Sequence, residues 1–289
     1  MTDPRARLTL SKDDAARLSV VEQLAHAGAQ SVGALVAALD DPSWAVRRAV
    51  VAALARIGAP AVERLAGVLK SGRDHEARLA AAVDALSASR GPVEATMLAL
   101  IDEAAPPPVM CDAAQVLGRR KSAASVPTLE RLTTHADDNV AVAAIEALGR
   151  IGGGAGVSTL VALVARGNFF RTFPALEVLG GSGDRRAVEP LLRALGNPLF
   201  AIEAVRALGH TGDERAVPAL LDRLRDAQES LVRTAAVALA ETHRRVHERL
   251  GTAGSVEATI AGYARASFAA ERAARCLPNA DPAEQVAIC

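Results

Sequence analysis

Apolar residues recur along this sequence at the three- and four-residue spacing of amphipathic helices, and the helices come in pairs. Residues 31–58 read SVGALVAALDDPSWAVRRAVVAALARIG, with a polar DDPS between two apolar stripes. Both stripes follow the helical period, so each helix is expected to bury one face. The stretch therefore predicts a helical hairpin whose second helix ends just after Leu54.

The same hairpin is repeated along most of the chain. Leucines equivalent to Leu54 recur at spacings of 30, 32, 31, 31, 31, 29 and 31 residues, as Leu24, Leu54, Leu86, Leu117, Leu148, Leu179, Leu208 and Leu239. A fixed period of this length is typical of solenoids, in which stacked units form a core that no unit can form alone. The spacing predicts a half-repeat at 11–28 and fuller units at 29–58, 59–90, 91–122, 123–152, 153–183, 184–212 and 213–243.

Each unit carries characteristic residues at its ends. Val, often with Pro, opens the first helix, as in SVPTL from 125, AVEPL from 187 and AVPAL from 216. Proline suits this position because the first turn of a helix has no partner for the missing N–H. Glycines follow the second helix at 58, 152, 183 and 212, where a residue with positive φ ends a helix with little strain.

The pattern AVxPLLxxL, a turn and then VRxxAxxALGxIGD resembles HEAT repeats, and the short period resembles the subclass found in phycobilisome lyases. The resemblance implies an all-α fold, a right-handed α-α superhelical solenoid whose first helices lie outside and whose second helices line a concave face. The repeat array is predicted to occupy residues 1–243. Residues 244–289 depart from the pattern and predict a divergent helical C-terminal cap. A helix that begins at Asp281 would be very short if it ended at Cys289, so the possibility that the native chain is longer remains open.

The amino-acid composition disfavours several classes of function for this chain. Half of the residues are hydrophobic but only 2% are aromatic, which favours closely packed short helices over large aromatic-walled sites. Thirty-three basic and thirty-three acidic residues give no net charge, so we expect no nucleic-acid binding. No apolar run is long enough to span a bilayer, so we expect no membrane insertion. Three widely spaced cysteines without a CxxC pair favour a cytoplasmic protein.

Two polar rows flank the repeated leucine on the predicted second helices. An acidic row lies two residues before it, with an extension three residues earlier, and comprises Asp84, Asp112, Glu146, Glu177 and Glu203. The arginines of these rows that we expect to contact a partner are Arg119, Arg150 and Arg206. Because residues four apart share one side of a helix, we expect Glu146 to face Arg150 and Gln115 to face Arg119. The rows form either a concave groove for a protein partner or a solvated face with weak ion pairs.

Four of the five phenylalanines lie in two adjacent turns. The first turn and helix start reads GNFFRTFP from Gly167, and the next reads NPLF from Asn197. Phe200 occupies a position that is apolar in most units and is expected in the core, whereas unit five has Arg171 there. The other large residues of the two turns, Phe169, Phe170 and Leu199, break the pattern of the repeat. They form either an exposed partner-binding patch with Arg171 or a local repacking of the core.

Catalytic and metal-binding motifs are sparse. His243 and His247 are four residues apart on a predicted helix, but a structural zinc site needs further ligands at suitable spacing. The His–Glu pairs at 75–76 and 247–248 resemble those of HEAT-like deoxyhypusine hydroxylases, a family that implies four symmetric motifs. Cys111 is either a small core residue or a lyase-like chromophore contact. We expect no catalytic residues, metal or cofactor.

The sequence thus predicts a non-catalytic scaffold that binds a protein partner through the concave face, the aromatic turns or both. The alternative, based on the repeat subclass and Cys111, is a bilin-lyase-like enzyme or an accessory protein of such an enzyme. Nucleic-acid binding in a basic HEAT groove is disfavoured by the absence of net charge and by the acidic residues of the inward rows.

Overall fold

The computed structural model describes residues 13–71 and 74–266 of the chain. Within these ranges the secondary structure is helical, as the apolar pattern predicts, and no strand is present. The helices divide into two units at the junction between Ile151 and Gly152. Each unit is a stretch of α solenoid in which helical hairpins stack on their neighbours.

In the first unit, a single helix precedes a series of hairpins. Its helices are α1 Asp14–Ala27, α2 Val32–Ala37, α3 Trp44–Ile57, α4 Ala59–Ser71, α5 Glu76–Ala88, α6 Val93–Asp102, α7 Pro107–Arg119, α8 Val126–Leu132 and α9 Asp138–Ile151. Short 3₁₀ turns at Gly28–Ser31 and Ala123–Ser125 lead into α2 and α8. From α2 onward the helices pair in order, and each pair falls within one of the units expected from the leucine spacing.

The second unit also consists of hairpins, and it ends in one long helix followed by a further helix. Its helices are α10 Val157–Arg166, α11 Phe169–Gly181, α12 Val188–Ala194, α13 Ala201–Thr211, α14 Val217–Arg223, α15 Glu229–Leu250 and α16 Gly254–Ala266. Helix α15 runs without a break through position 243, where the sequence pattern of the repeat stops. The expected helix start at Asp281 lies outside the described residues. None of the described helices combines the length and apolar character needed to cross a bilayer.

The repeated leucines form the centre of the core. All eight are buried, with at most 6% of each residue exposed. The glycines expected to end second helices have positive φ, 76° at Gly58 and 57° at Gly212. An L-residue with a side chain rarely adopts this conformation, so the glycines allow the chain to leave one hairpin and begin the next.

Successive second helices come close together at a repeated contact between a glycine and an alanine. The three pairs are Gly118 with Ala147, Gly180 with Ala207 and Gly209 with Ala238. A Cβ atom built on each glycine would lie 2.7 Å from the Cα atom of the paired alanine, closer than such atoms approach in proteins. The glycine directly follows the repeated leucine and the alanine directly precedes the next one, so the contact has the same register each time.

Candidate functional site

The aromatic cluster is organised by the start of α11. The side chain of Asn168 caps this helix by accepting a hydrogen bond from the backbone N–H of Arg171 at 3.3 Å. Phe169 therefore lies on the first turn. Its ring meets Phe170 edge-on, with centroids 5.7 Å apart, and stacks on Phe200 of the next turn, with centroids 5.9 Å apart. The two turns are thus in contact.

Most of the cluster is exposed. Phe200 is the exception, since only 3% of it is exposed, which confirms it as a core residue. In contrast, 64% of Phe170 and 68% of Leu199 are exposed, and Phe169 and Phe173 are exposed as well. This exposure favours a surface patch over the alternative in which these rings fill space in the core. We call Phe169, Phe170, Phe173 and Leu199 the aromatic patch.

Two further residues at the start of α11, Arg171 and Phe173, lie beside the rings of Phe169 and Phe170 in the sequence. Arg171 is half-buried at a position where most other units place an apolar side chain. Phe173 was not among the residues expected to bind a partner, yet it lies four positions after Phe169, with the two ring centroids 6.3 Å apart. The sequence spacing of Phe169 and Phe173 could have predicted this contact, because residues four apart lie on the same side of a helix.

The polar rows of the first unit are occupied by ion pairs. Arg150 Nη2 donates to Glu146 Oε2 at 3.2 Å, which confirms the expected pairing along α9. Arg119, expected to face Gln115 of its own helix, instead donates to the Asp84 carboxylate of α5. These side chains are largely solvent-exposed, and each such pair contributes about 0–1 kcal/mol. Asp112 lies half-buried on α7.

In the second unit the two members of the acidic row differ in solvent exposure. Glu177 is exposed, but only 5% of Glu203 is exposed, so Glu203 is not part of a solvated acidic stripe as the sequence suggested. Arg206 Nη1 donates to Glu203 Oε2 at 2.5 Å. Burial raises the pKa of the Glu203 carboxyl, the Arg206 charge opposes this shift, and the negative charge of Glu177 adds to it. Glu203 is thus buried at the edge of the core, whereas its partner Arg206 lies at the surface, with 52% of its side chain exposed.

The residues considered for catalysis or metal binding are separate from the aromatic patch along the chain. His243 Nε2 lies 2.9 Å from Glu257 Oε1, and the rings of His243 and His247 stack at 6.5 Å. Within residues 13–71 and 74–266, no group of three or more His, Cys, Asp or Glu side chains is placed to hold a metal ion. Cys111 is half-buried in the second turn of α7.

A family model for HEAT repeats matches residues 4–87, 94–171 and 174–240, which together make up most of the chain. The chain belongs to the HEAT repeat family. This agrees with the hairpins, the buried leucines and the all-α fold described above. The match is to HEAT repeats in general and does not extend to the subclass found in phycobilisome lyases.

Solved structures of other proteins resemble this HEAT-repeat chain. The Escherichia coli protein YibA is 16% identical, with a TM-score of 0.50 over 88% of this chain and 99% of YibA. Human deoxyhypusine hydroxylase is 19% identical, with a TM-score of 0.39 over 83% of this chain and 95% of its own. An engineered protein is 18% identical, with a TM-score of 0.41 over 100% of this chain and 97% of its own. A search of curated proteins finds no match. The likeness to YibA supports the fold alone.

Proposed function

We propose that this HEAT-repeat protein is a non-catalytic cytoplasmic scaffold that binds a partner protein through the aromatic patch. The observation that carries the proposal is the exposure of Phe170 and Leu199 in adjacent turns, where 64% and 68% of each residue is exposed. Exposed apolar surface of this kind is typical of interaction sites, and buried aromatic side chains supply much of the affinity of protein interfaces. Burying one such side chain contributes about 1.5–3 kcal/mol.

The polar rows support the same proposal in a secondary role. Asp84, Arg119, Glu146 and Arg150 are partly exposed but already engaged with one another. A partner would have to replace these ion pairs with its own, so they offer selectivity and faster association more than affinity. We therefore assign the main contact to the aromatic patch, with polar residues such as Glu177 at the margin of the interface.

The proposal is tested with Phe170→Asp. We expect this variant to bind a native partner at least about 30-fold more weakly, the effect of losing an interface residue worth about 2 kcal/mol. Its melting temperature should stay close to that of the wild type, because the ring is mostly exposed and an acidic residue is favourable in the first turn of a helix. The measurement is affinity capture from native lysate, read by mass spectrometry, followed by titration of the captured protein.

Trp44→Asp is the matched control. Trp44 is also 64% exposed and lies on the first turn of a second helix, α3. Capture lost with Phe170→Asp but retained with Trp44→Asp would locate the interface at the aromatic patch. Equal capture by wild type and Phe170→Asp would contradict the proposal. A third variant, Glu146→Lys with Glu177→Lys, measures what the polar rows add.

A second candidate, a bilin-lyase-like enzyme or accessory protein, is supported by the short repeat period and by Cys111. The thiol lies half-buried near the start of α7, so a chromophore could reach it after a small rearrangement of neighbouring side chains. A visible absorption band in the purified protein, lost in Cys111→Ser, would favour this candidate over the scaffold. A colourless protein whose partner binding is unaffected by Cys111→Ser would argue against it.

A further inference from the structure

A cavity of about 460 Å³ opens beside the aromatic patch, within the second unit. It lies between the first helices α10 and α12, and the turns that follow these helices contribute to its wall. Val161, Val164, Pro190 and Ala194 make most of this wall apolar, and Phe200 separates the cavity from Phe169 of the patch. The volume falls within the range of sites that hold small ligands or anchor side chains, about 300–1,000 Å³.

One polar atom in the cavity wall is unsatisfied. Thr172 lines the cavity and is fully buried, and its Oγ1 has no hydrogen-bond partner. A buried threonine in a helix usually donates to the carbonyl one turn earlier, as Thr242 does to Ala238 O at 2.8 Å. An unpaired buried hydroxyl destabilises a folded protein, so this hydroxyl is available to a partner that enters the cavity.

The repeat itself shows that the fold does not require a hydroxyl here. Thr172 stands seven residues before the repeated Leu179. In the other fuller units this place is held by mostly apolar residues, namely Arg47, Leu79, Met110, Ala141, Ala201 and Val232. Valine has nearly the shape of threonine and would fill the same space without an unpaired polar atom.

The one charged side chain among the residues that line the cavity is basic. Residues 161–173 and 190–200, which supply most of the cavity wall and all of the patch, include Arg166, Arg171 and Arg193 and no acidic residue, although Glu177, Glu189 and Glu203 lie just outside these segments. Arg166 and Arg193 are exposed, and neither forms an ion pair within the described part of the chain. Arg193 lines the cavity. This local excess of positive charge favours an acidic occupant.

We propose that the cavity and the aromatic patch together bind an acidic peptide segment that places a tyrosine side chain in the cavity. The tyrosine ring packs against the apolar wall and Phe200, and its hydroxyl pairs with Thr172 Oγ1. Neighbouring carboxylates of the peptide meet Arg193 and Arg166. A peptide fits better than a small aromatic acid because the exposed apolar surface extends beyond the cavity to Phe170 and Leu199. The inference rests on the proposed function and specifies the chemistry of the partner.

The experiment measures binding of fluorescent peptide pools to the full chain. One pool has a central tyrosine flanked by Asp and Glu, a second replaces the tyrosine with phenylalanine, and a third replaces the acidic flanks with lysine. We expect the acidic tyrosine pool to bind about 3- to 10-fold more tightly than the phenylalanine pool, the effect of one hydrogen bond. The lysine pool should not bind, and added salt should weaken the acidic pools.

Two variants assign the contacts. In Thr172→Val the preference for tyrosine over phenylalanine should disappear, while the melting temperature of the free protein stays equal or rises because an unpaired buried hydroxyl has been removed. Arg193→Glu should weaken binding of both acidic pools about tenfold or more, since it turns an attraction into a repulsion. Arg64→Glu, a change at an exposed arginine of α4, is the matched control and should leave binding unchanged.

Three results would overturn the inference. The first is a tyrosine preference that survives in Thr172→Val, or no preference in the wild type. The second is equal binding of acidic and lysine pools, or no effect of Arg193→Glu. The third is binding of 4-hydroxyphenylacetate as tight as that of the peptide pool, which would make the cavity a small-molecule site.

If Phe170→Asp loses a captured partner but the pools show no tyrosine preference, the scaffold stands and only the inference fails. If the pools behave as expected but Phe170→Asp captures every partner normally, the scaffold proposal fails instead.

Discussion

We expect Leu148→Ala to lower the free energy of unfolding by about 2–5 kcal/mol, the range for removing a buried leucine from a packed core. Leu148 is 1% exposed in the last turn of α9, at the repeated leucine position. The substitution loses the transfer free energy of the side chain and leaves a cavity, because α7 and α8, which pack against α9, cannot close the gap fully. Urea unfolding followed by circular dichroism measures the loss.

Leu250→Ala provides the control for this experiment. Leu250 is the last residue of α15 and is exposed, so its replacement should change stability by no more than about 0.5 kcal/mol. A wild-type unfolding curve for Leu148→Ala would show that the repeat register assigned here is wrong.

The second large effect is expected at a glycine. In an open helical position, Gly→Ala stabilises by about 0.5–1 kcal/mol, because alanine loses less conformational freedom on folding. At Gly180 the added Cβ would lie 2.7 Å from Ala207 Cα and 2.8 Å from Ala207 O, which are backbone atoms of α13. Since a helix backbone cannot move aside as a flexible side chain can, we expect Gly180→Ala to destabilise by about 1–3 kcal/mol.

The adjacent residue is a sensitive control for Gly180→Ala. Gly181 lies in the same helix, and a Cβ built there has no atom within 4 Å. Gly181→Ala should therefore leave the melting temperature unchanged or raise it. Opposite signs for two neighbouring Gly→Ala changes would demonstrate the close approach of successive second helices. Equal stabilisation by both would mean that α11 and α13 are farther apart than described.

The two candidate binding surfaces differ in what they can contribute to binding. The aromatic patch gains free energy when it leaves water, and salt does not weaken that gain. The exposed pairs Asp84–Arg119 and Glu146–Arg150 are screened by salt and already satisfied. Partner binding that persists at high ionic strength would therefore favour the patch. The arginines around the cavity would add a salt-dependent component that only the acidic peptide inference requires.

The amino-acid sequence alone determined the repeat, its leucine register and the helix ends. These features depend on local physics, namely the helical spacing of apolar residues and the freedom of glycine at Gly58 and Gly212. In a solenoid each unit meets only its neighbours, so a position buried in one hairpin is buried in the next. That is why Leu148 and Phe200 could be assigned to the core by comparing units within this one chain.

Only the tertiary structure decided which polar groups are paired, buried or left open. Arg119 finds its carboxylate on α5, Glu203 is buried, and Thr172 Oγ1 has no partner beside a cavity. None of this follows from a one-dimensional pattern, because the rotation and offset between neighbouring helices decide whether a side chain reaches across a groove or faces an empty space. The repeat period specifies that two helices pack, whereas the contacts between them depend on how closely their backbones approach.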